Sequence, residues 1–101
     1  MIRYVRAELP GVWVGSFGDG RIWRLQLETA YGNYELRIGD ELETGSFTME
    51  HRIEAFHTTM HFMPGGEDKA PHDLQICLAT IDGQICLIPK NAEYPTFYRE
   101  E

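Results

Sequence analysis

A chain of 101 residues, 43% hydrophobic and 25% charged, is long enough for one core and too short for a catalytic domain with a separate substrate domain. Its net charge of −7 argues against nucleic acid as a partner, because binding a polyanion rests on a basic surface. No apolar run approaches a bilayer span, and charges stand where a secretion signal needs its apolar core, so a single cytoplasmic domain over 1–101 without membrane contact is expected.

The charge is unevenly spread. Residues 1–39 carry five arginines against four acids, a balance of +1, whereas residues 40–101 hold twelve acids and four bases, a balance of −8.

In chain order, Ile2 to Leu9 reads as a first strand ended by Pro10-Gly11, and Val12 to Phe17 as a second, with Trp13 and Phe17 on one face and Val12 and Val14 on the other. Gly18-Asp19-Gly20 supplies a turn. Arg21 to Thr29 then alternates Trp23, Leu25 and Leu27 with Arg24, Gln26 and Glu28, and Tyr34 to Ile38 continues the rhythm. A four-residue loop at Ala30 to Asn33 sets Leu27 opposite Leu36 and Leu25 opposite Ile38. It also sets Glu28 against Glu35, and Asp40 to Gly45 reads as an acidic connection.

Ser46 to Met63 fits two templates. As strand, Phe47, Met49, Ile53 and Ala55 alternate with polar residues and then slip by one to Phe56, Thr58, Met60 and Phe62, as at a bulge or sharp corner. As helix, Met49, Ile53, Phe56, Met60 and Met63 form an apolar stripe. Composition and the spacing of strand starts favour strands. Pro64 to Pro71 is the one long loop.

Leu74 to Pro89 organises the chain: two apolar runs flank Asp82-Gly83, the strongest short-range hairpin signal. The implied register pairs Ile81 with Gln84, Thr80 with Ile85, Ala79 with Cys86, Leu78 with Leu87 and Cys77 with Ile88. Both faces are apolar, so cover on both sides is expected. Cys77 and Cys86 are not opposite one another and read as small hydrophobes rather than a disulfide or a redox pair. Thr96 to Arg99 reads as a short edge strand after Pro95. The expected fold is all-β, a small antiparallel barrel or sandwich; the alternative is α+β, with 47–63 as one helix on an antiparallel sheet.

No catalytic constellation emerges. Ser16 and Ser46 lack a nucleophile-elbow context, no glycine loop precedes a helix that would cradle phosphate, and Glu50 with Glu54 reads as a solvated face. The expected function is therefore a small acidic, non-catalytic binding protein without cofactor, of the inhibitor or immunity type. It would act on a protein partner with a basic surface through Asp40, Glu41, Glu43, Glu67 and Asp68. The alternative is a small-molecule- or metal-binding barrel, possibly an enzyme, with His57, His61 and His72 around an interior pocket holding a divalent transition metal.

Overall fold

The computed structural model describes residues 10–28, 32–52, 57–66 and 69–100 and, of His51, Arg52 and His57, the backbone alone. The expected first strand, Ile2 to Leu9, lies outside the described residues. The elements are β1 (Gly11–Gly15), β2 (Trp23–Glu28), β3 (Asn33–Ile38), β4 (Glu41–Arg52), β5 (His57–Pro64), β6 (His72–Ile81), β7 (Gln84–Pro89) and β8 (Phe97–Arg99). Each pairs antiparallel with its neighbours in sequence, and β8 pairs with β1, so the eight strands close into an up-and-down barrel.

Closure follows from alternation. One face of each strand supplies the interior: Trp13, Trp23, Leu25, Leu27, Tyr34, Leu36, Phe47, Met60, Phe62, Leu74, Ile76, Leu87 and Phe97 are all buried. On β2 the intervening Arg24, Gln26 and Glu28 are exposed, so this strand is apolar inside and polar outside. An eight-stranded barrel has an interior that side chains fill, and the rings of Trp13, Phe62 and Phe97 fill this one.

The hairpin at Asp82-Gly83 has the register its sequence implies, from Ile81↔Gln84 to Cys77↔Ile88. Asp82 at φ 52° and Gly83 at φ 79° give the two positive angles that a primed two-residue turn requires. Its cover differs from expectation. A barrel is a single layer, so the inner face, with Ile76 and Leu87, is enclosed by the rest of the sheet, whereas the outer face is covered only in part. On the outer face Cys86 is buried, Cys77, Ala79 and Ile88 are half-buried and Ile81 is exposed. Both cysteines are free.

Four further details depart from the sequence reading. The β2–β3 ladder runs Leu27↔Tyr34, Leu25↔Leu36 and Trp23↔Ile38, two residues from the expected register. A shift of two keeps every side chain on its own face, so alternation cannot distinguish the two ladders. It also separates Glu28 from Glu35, which face Asn33 and Gln26. The expected acidic connection is only the turn at Gly39-Asp40, and Glu41 to Gly45 are already strand, paired along β3 from Ile38↔Glu41 to Tyr34↔Gly45.

Over 46–63 the described residues are strand throughout, so the helical alternative does not hold there; residues 53–56 lie outside the description. Met63, one member of the proposed stripe, is exposed on the outer face. The slip in alternation accompanies a change of strand between Arg52 and His57, and Phe47↔Phe62 and Met49↔Met60 are neighbours on the inner face. Finally, β8 is not an edge. Three residues suffice to bridge β7 and β1 because Phe97 pairs with both Gly15 and Leu87.

Gly45 shows why β4 and β5 lie close together near Pro64. A Cβ at this position would collide with the Met63 carbonyl oxygen, so only glycine lets β4 approach β5 here.

Candidate functional site

Strand directions place the β1–β2, β3–β4, β5–β6 and β7–β8 connections at one end of the barrel, the mouth. Two ionisable side chains project inward there. Glu43 lies opposite the buried Leu36 and His72 lies opposite the buried Phe62, so both occupy interior positions that an apolar core would give to aliphatic residues. Their side chains are only 17% and 28% exposed.

The two bond directly, His72 Nε2 to Glu43 Oε2 at 2.6 Å. The Tyr34 hydroxyl donates to the same oxygen at 2.8 Å, and the Tyr94 hydroxyl meets His72 Nδ1. An ionised carboxylate only accepts, so Nε2 carries a proton. Nδ1 then accepts from Tyr94 when the ring is neutral and donates to it when the ring is charged. The result is a continuous chain, Tyr34–Glu43–His72–Tyr94, drawn from β3, β4, β6 and the β7–β8 connection.

Local structure sets each member. Lys90 N donates to the Gln75 carbonyl at 2.8 Å, and Gln75 N to Asn91 Oδ1 at 2.9 Å, which fastens the β7–β8 connection to β6. Tyr94 N then bonds the Asn91 carbonyl at 3.2 Å and the Tyr94 ring turns inward, 5.9 Å from Trp23. Phe62 packs 5.1 Å from the His72 ring and 4.6 Å from Tyr34, which fixes both ring planes. Trp23 contacts Phe17, Tyr94 and Phe97, and its buried indole N–H has no acceptor among the described residues.

The electrostatics follow from this enclosure. Burial pushes the Glu43 carboxyl up, but hydrogen bonds from His72 and Tyr34, with the charges of His72 and Lys69, outweigh it, and its pKa lies below the usual carboxylate value. Burial, reinforced by the charges of Glu93, Glu43 and Asp73, pushes the Tyr94 hydroxyl up to about 12. Burial and the bond to Glu43 raise Tyr34 further still. The chain therefore holds a carboxylate against two tyrosines that keep their protons.

Beside it opens a depression of about 280 Å³, lined by Leu36, Ile38, Glu41, Leu42, Glu43, Lys69 and Ala70. Gly65 N bonds the Thr44 carbonyl at 2.9 Å, laying the β5–β6 connection along β4, and Lys69 Nζ reaches the Leu42 carbonyl at 3.0 Å.

The three sequence-selected histidines do not form one site. His61 pairs with Asp73, one residue from the inward Phe62–His72 pair, so His61 and His72 lie on opposite sides of the barrel wall. A single ion cannot meet both. The side chain of His57 lies outside the description. Among the described residues no group of three or more His, Cys, Asp or Glu side chains has metal-holding geometry. On the outer face His61 Nδ1 stands 2.7 Å from Asp73 Oδ1, and Nε2 stands 3.7 Å from Glu50 Oε2. The bond to Asp73 outweighs the small effect of burial and, with Glu50, raises the pKa of His61.

Of the five acids selected for a partner surface, Asp40 and Glu41 are exposed at the β3–β4 turn, and Glu43 is held inside the mouth. Glu67 and Asp68 lie outside the described residues. Sequence reasoning passed over Tyr34 and Tyr94 as site residues. Parity carried a signal for the others, since His72 keeps step with Leu74, Ile76 and Leu78, and Glu43 with Phe47 and Met49. Comparison with protein-family models, with curated proteins and with solved structures found no match to this chain.

Proposed function

We propose that the protein is a small-molecule-binding barrel whose site is the mouth depression floored by Glu43. The observation that carries this reading is the ionised carboxylate of Glu43, held inside the wall by two donors and bordering a pocket whose other lining includes Leu36, Ile38, Leu42 and Ala70. Apolar walls with a few convergent polar groups in the mouth of a barrel are the usual makings of a small-ligand site. The pocket is small, and the barrel below it is filled by aromatic side chains, so the ligand sits at the rim rather than along the axis.

Fragment screening by protein-observed NMR tests the reading. Binding fragments should perturb the amides of Leu36, Ile38, Leu42 and Ala70 together. Fragments that gather elsewhere, or none that saturate, would remove the site.

A second reading, an acidic protein that docks on a basic partner, is favoured by Asp40 and Glu41, which stand exposed beside the exposed Leu42. Such a complex should weaken steeply between 0.05 and 0.5 M salt, on the order of tenfold, because the attraction is screened. Glu43 serves only the first reading, since its carboxylate lies inside the mouth.

A further inference from the structure

Resting on the mouth-pocket reading, we infer that the ligand is a small primary ammonium compound with a short alkyl tail, and that the charge of Lys69 on the flank of the pocket opposes its binding.

Glu43 is bonded through one of its two oxygens. Both protein donors, Tyr34 and His72, go to Oε2, and among the described residues no donor reaches Oε1. A ligand covering the depression therefore covers a charged oxygen that takes no bond from the described residues. An apolar or purely accepting ligand would strip water from that oxygen and return nothing, which is costly. A ligand that brings N–H groups replaces the water, and a charged one does so with a stronger, charge-assisted bond. Glu41, the second carboxylate of the lining, adds to the preference for a cation and opposes an anion.

Lys69 places an ammonium on the flank of this pocket. Its Nζ donates to the Leu42 carbonyl at 3.0 Å, its charge helps to lower the pKa of Glu43, and it forms no ion pair with either carboxylate among the described residues. It is held by a backbone oxygen on the flank of the pocket, close enough to offset the carboxylates and free of the atom a ligand needs. A second ammonium entering the pocket is repelled by it. The tail of the ligand lies on Leu36, Ile38, Leu42 and Ala70. A divalent metal ion is a poorer match, because Glu43 Oε2 already has two donors, His72 Nε2 is protonated toward it, and too few oxygens remain for a hard cation.

The test is an NMR titration of the full chain at pH 7 and 0.15 M salt with n-butylamine, 1-butanol and butyrate, three probes of matched length that differ in the head group. Saturable shifts at Leu36, Leu42 and Ala70 should appear with the amine and be at least about tenfold weaker with the alcohol and the acid, the difference a charge-assisted bond makes. Lys69→Met keeps an unbranched stem and removes the charge, and should tighten amine binding on the order of fivefold. In Glu43→Gln the amide oxygen stays with Tyr34 and His72 and an NH₂ donor turns toward the pocket, so amine binding should be lost.

Glu41→Gln, on the exposed rim, is the variant that keeps the test sound if Glu43→Gln folds poorly; it should weaken the amine roughly twofold to threefold. Butanol or butyrate binding at the mouth as tightly as the amine, or no gain in Lys69→Met, would overturn the ammonium inference and leave the pocket standing. Amine shifts that scatter over the surface without saturating, with the other probes silent at the mouth, would overturn both.

Discussion

Two carboxylate–histidine pairs stand on β4, β5 and β6, one on each side of the barrel wall. Inside, His72 bonds Glu43 at 2.6 Å; outside, His61 bonds Asp73 at 2.7 Å. The lengths are nearly the same and the surroundings are not. Glu43 is 17% exposed, takes a second bond from Tyr34, and belongs to a chain that ends on Tyr94. Asp73 is 60% exposed, and His61 meets it in water. Hydrogen-bond length alone says little about energy. What decides is whether water can replace the partner when it is lost.

The largest effect that would break this comparison comes from truncating the two histidines. His72→Ala leaves the Glu43 carboxylate short of a donor and Tyr94 without its partner inside the wall, and should cost about 2–4 kcal/mol in urea unfolding, somewhat less than for a fully buried charged pair because both side chains keep some exposure. His61→Ala should move the midpoint little, because water takes the place of the imidazole. Equal losses would show that the inner chain is as solvated as the outer pair.

An intermediate effect separates the pairs by pH. Glu43 binds its proton less readily folded than unfolded, so its contribution is complete above the ordinary value of 4.5 and is lost as pH falls below it toward the lowered folded pKa. Acid denaturation followed by circular dichroism should therefore steepen below about pH 4.5, and Glu43→Gln should flatten that window.

The smallest effect has the opposite sign. His61 holds its proton more tightly when folded, so its stabilisation is complete below the ordinary value of 6.5 and fades as pH rises through its raised pKa. His61→Gln should remove this slope. So should 0.5 M salt, which screens an exposed pair while leaving the Glu43 window in place. A salt-resistant slope at His61 would mean that the outer pair is covered.

One residue separates these outcomes. On β5 and β6, His61↔Asp73 and Phe62↔His72 are successive pairs, and the pleat sends them to opposite sides. The parity of His72 with Leu74, Ile76 and Leu78 was open to inspection in the sequence, as was the parity of His61 against Met60 and Phe62. Grouping His57, His61 and His72 by residue type overlooked it. The meeting of Glu43 with His72, 29 positions away, had no such signal, because it needs β4 and β6 on either side of β5 and a strand that begins at Glu41. Acidic residues from 40 to 45 read locally as a connection, and pairing with β3 overrode that preference. Tyr94 reaches the chain only because Asn91 and Lys90 fasten their connection to β6.

The sequence by itself determined what depends on neighbours and alternation: the Asp82-Gly83 turn with its ladder, the inward faces of β2 and β3, and an all-β chain with an acidic second part. Those follow from φ preferences and a side-chain period of two, which act over a few residues. Tertiary structure alone decided the β2–β3 register, the closing role of β8 and the assembly of Tyr34, Glu43, His72 and Tyr94. A two-residue slide leaves every face unchanged, and the ends of the barrel come together only when the whole sheet has curled, so no short stretch of chain contains that information.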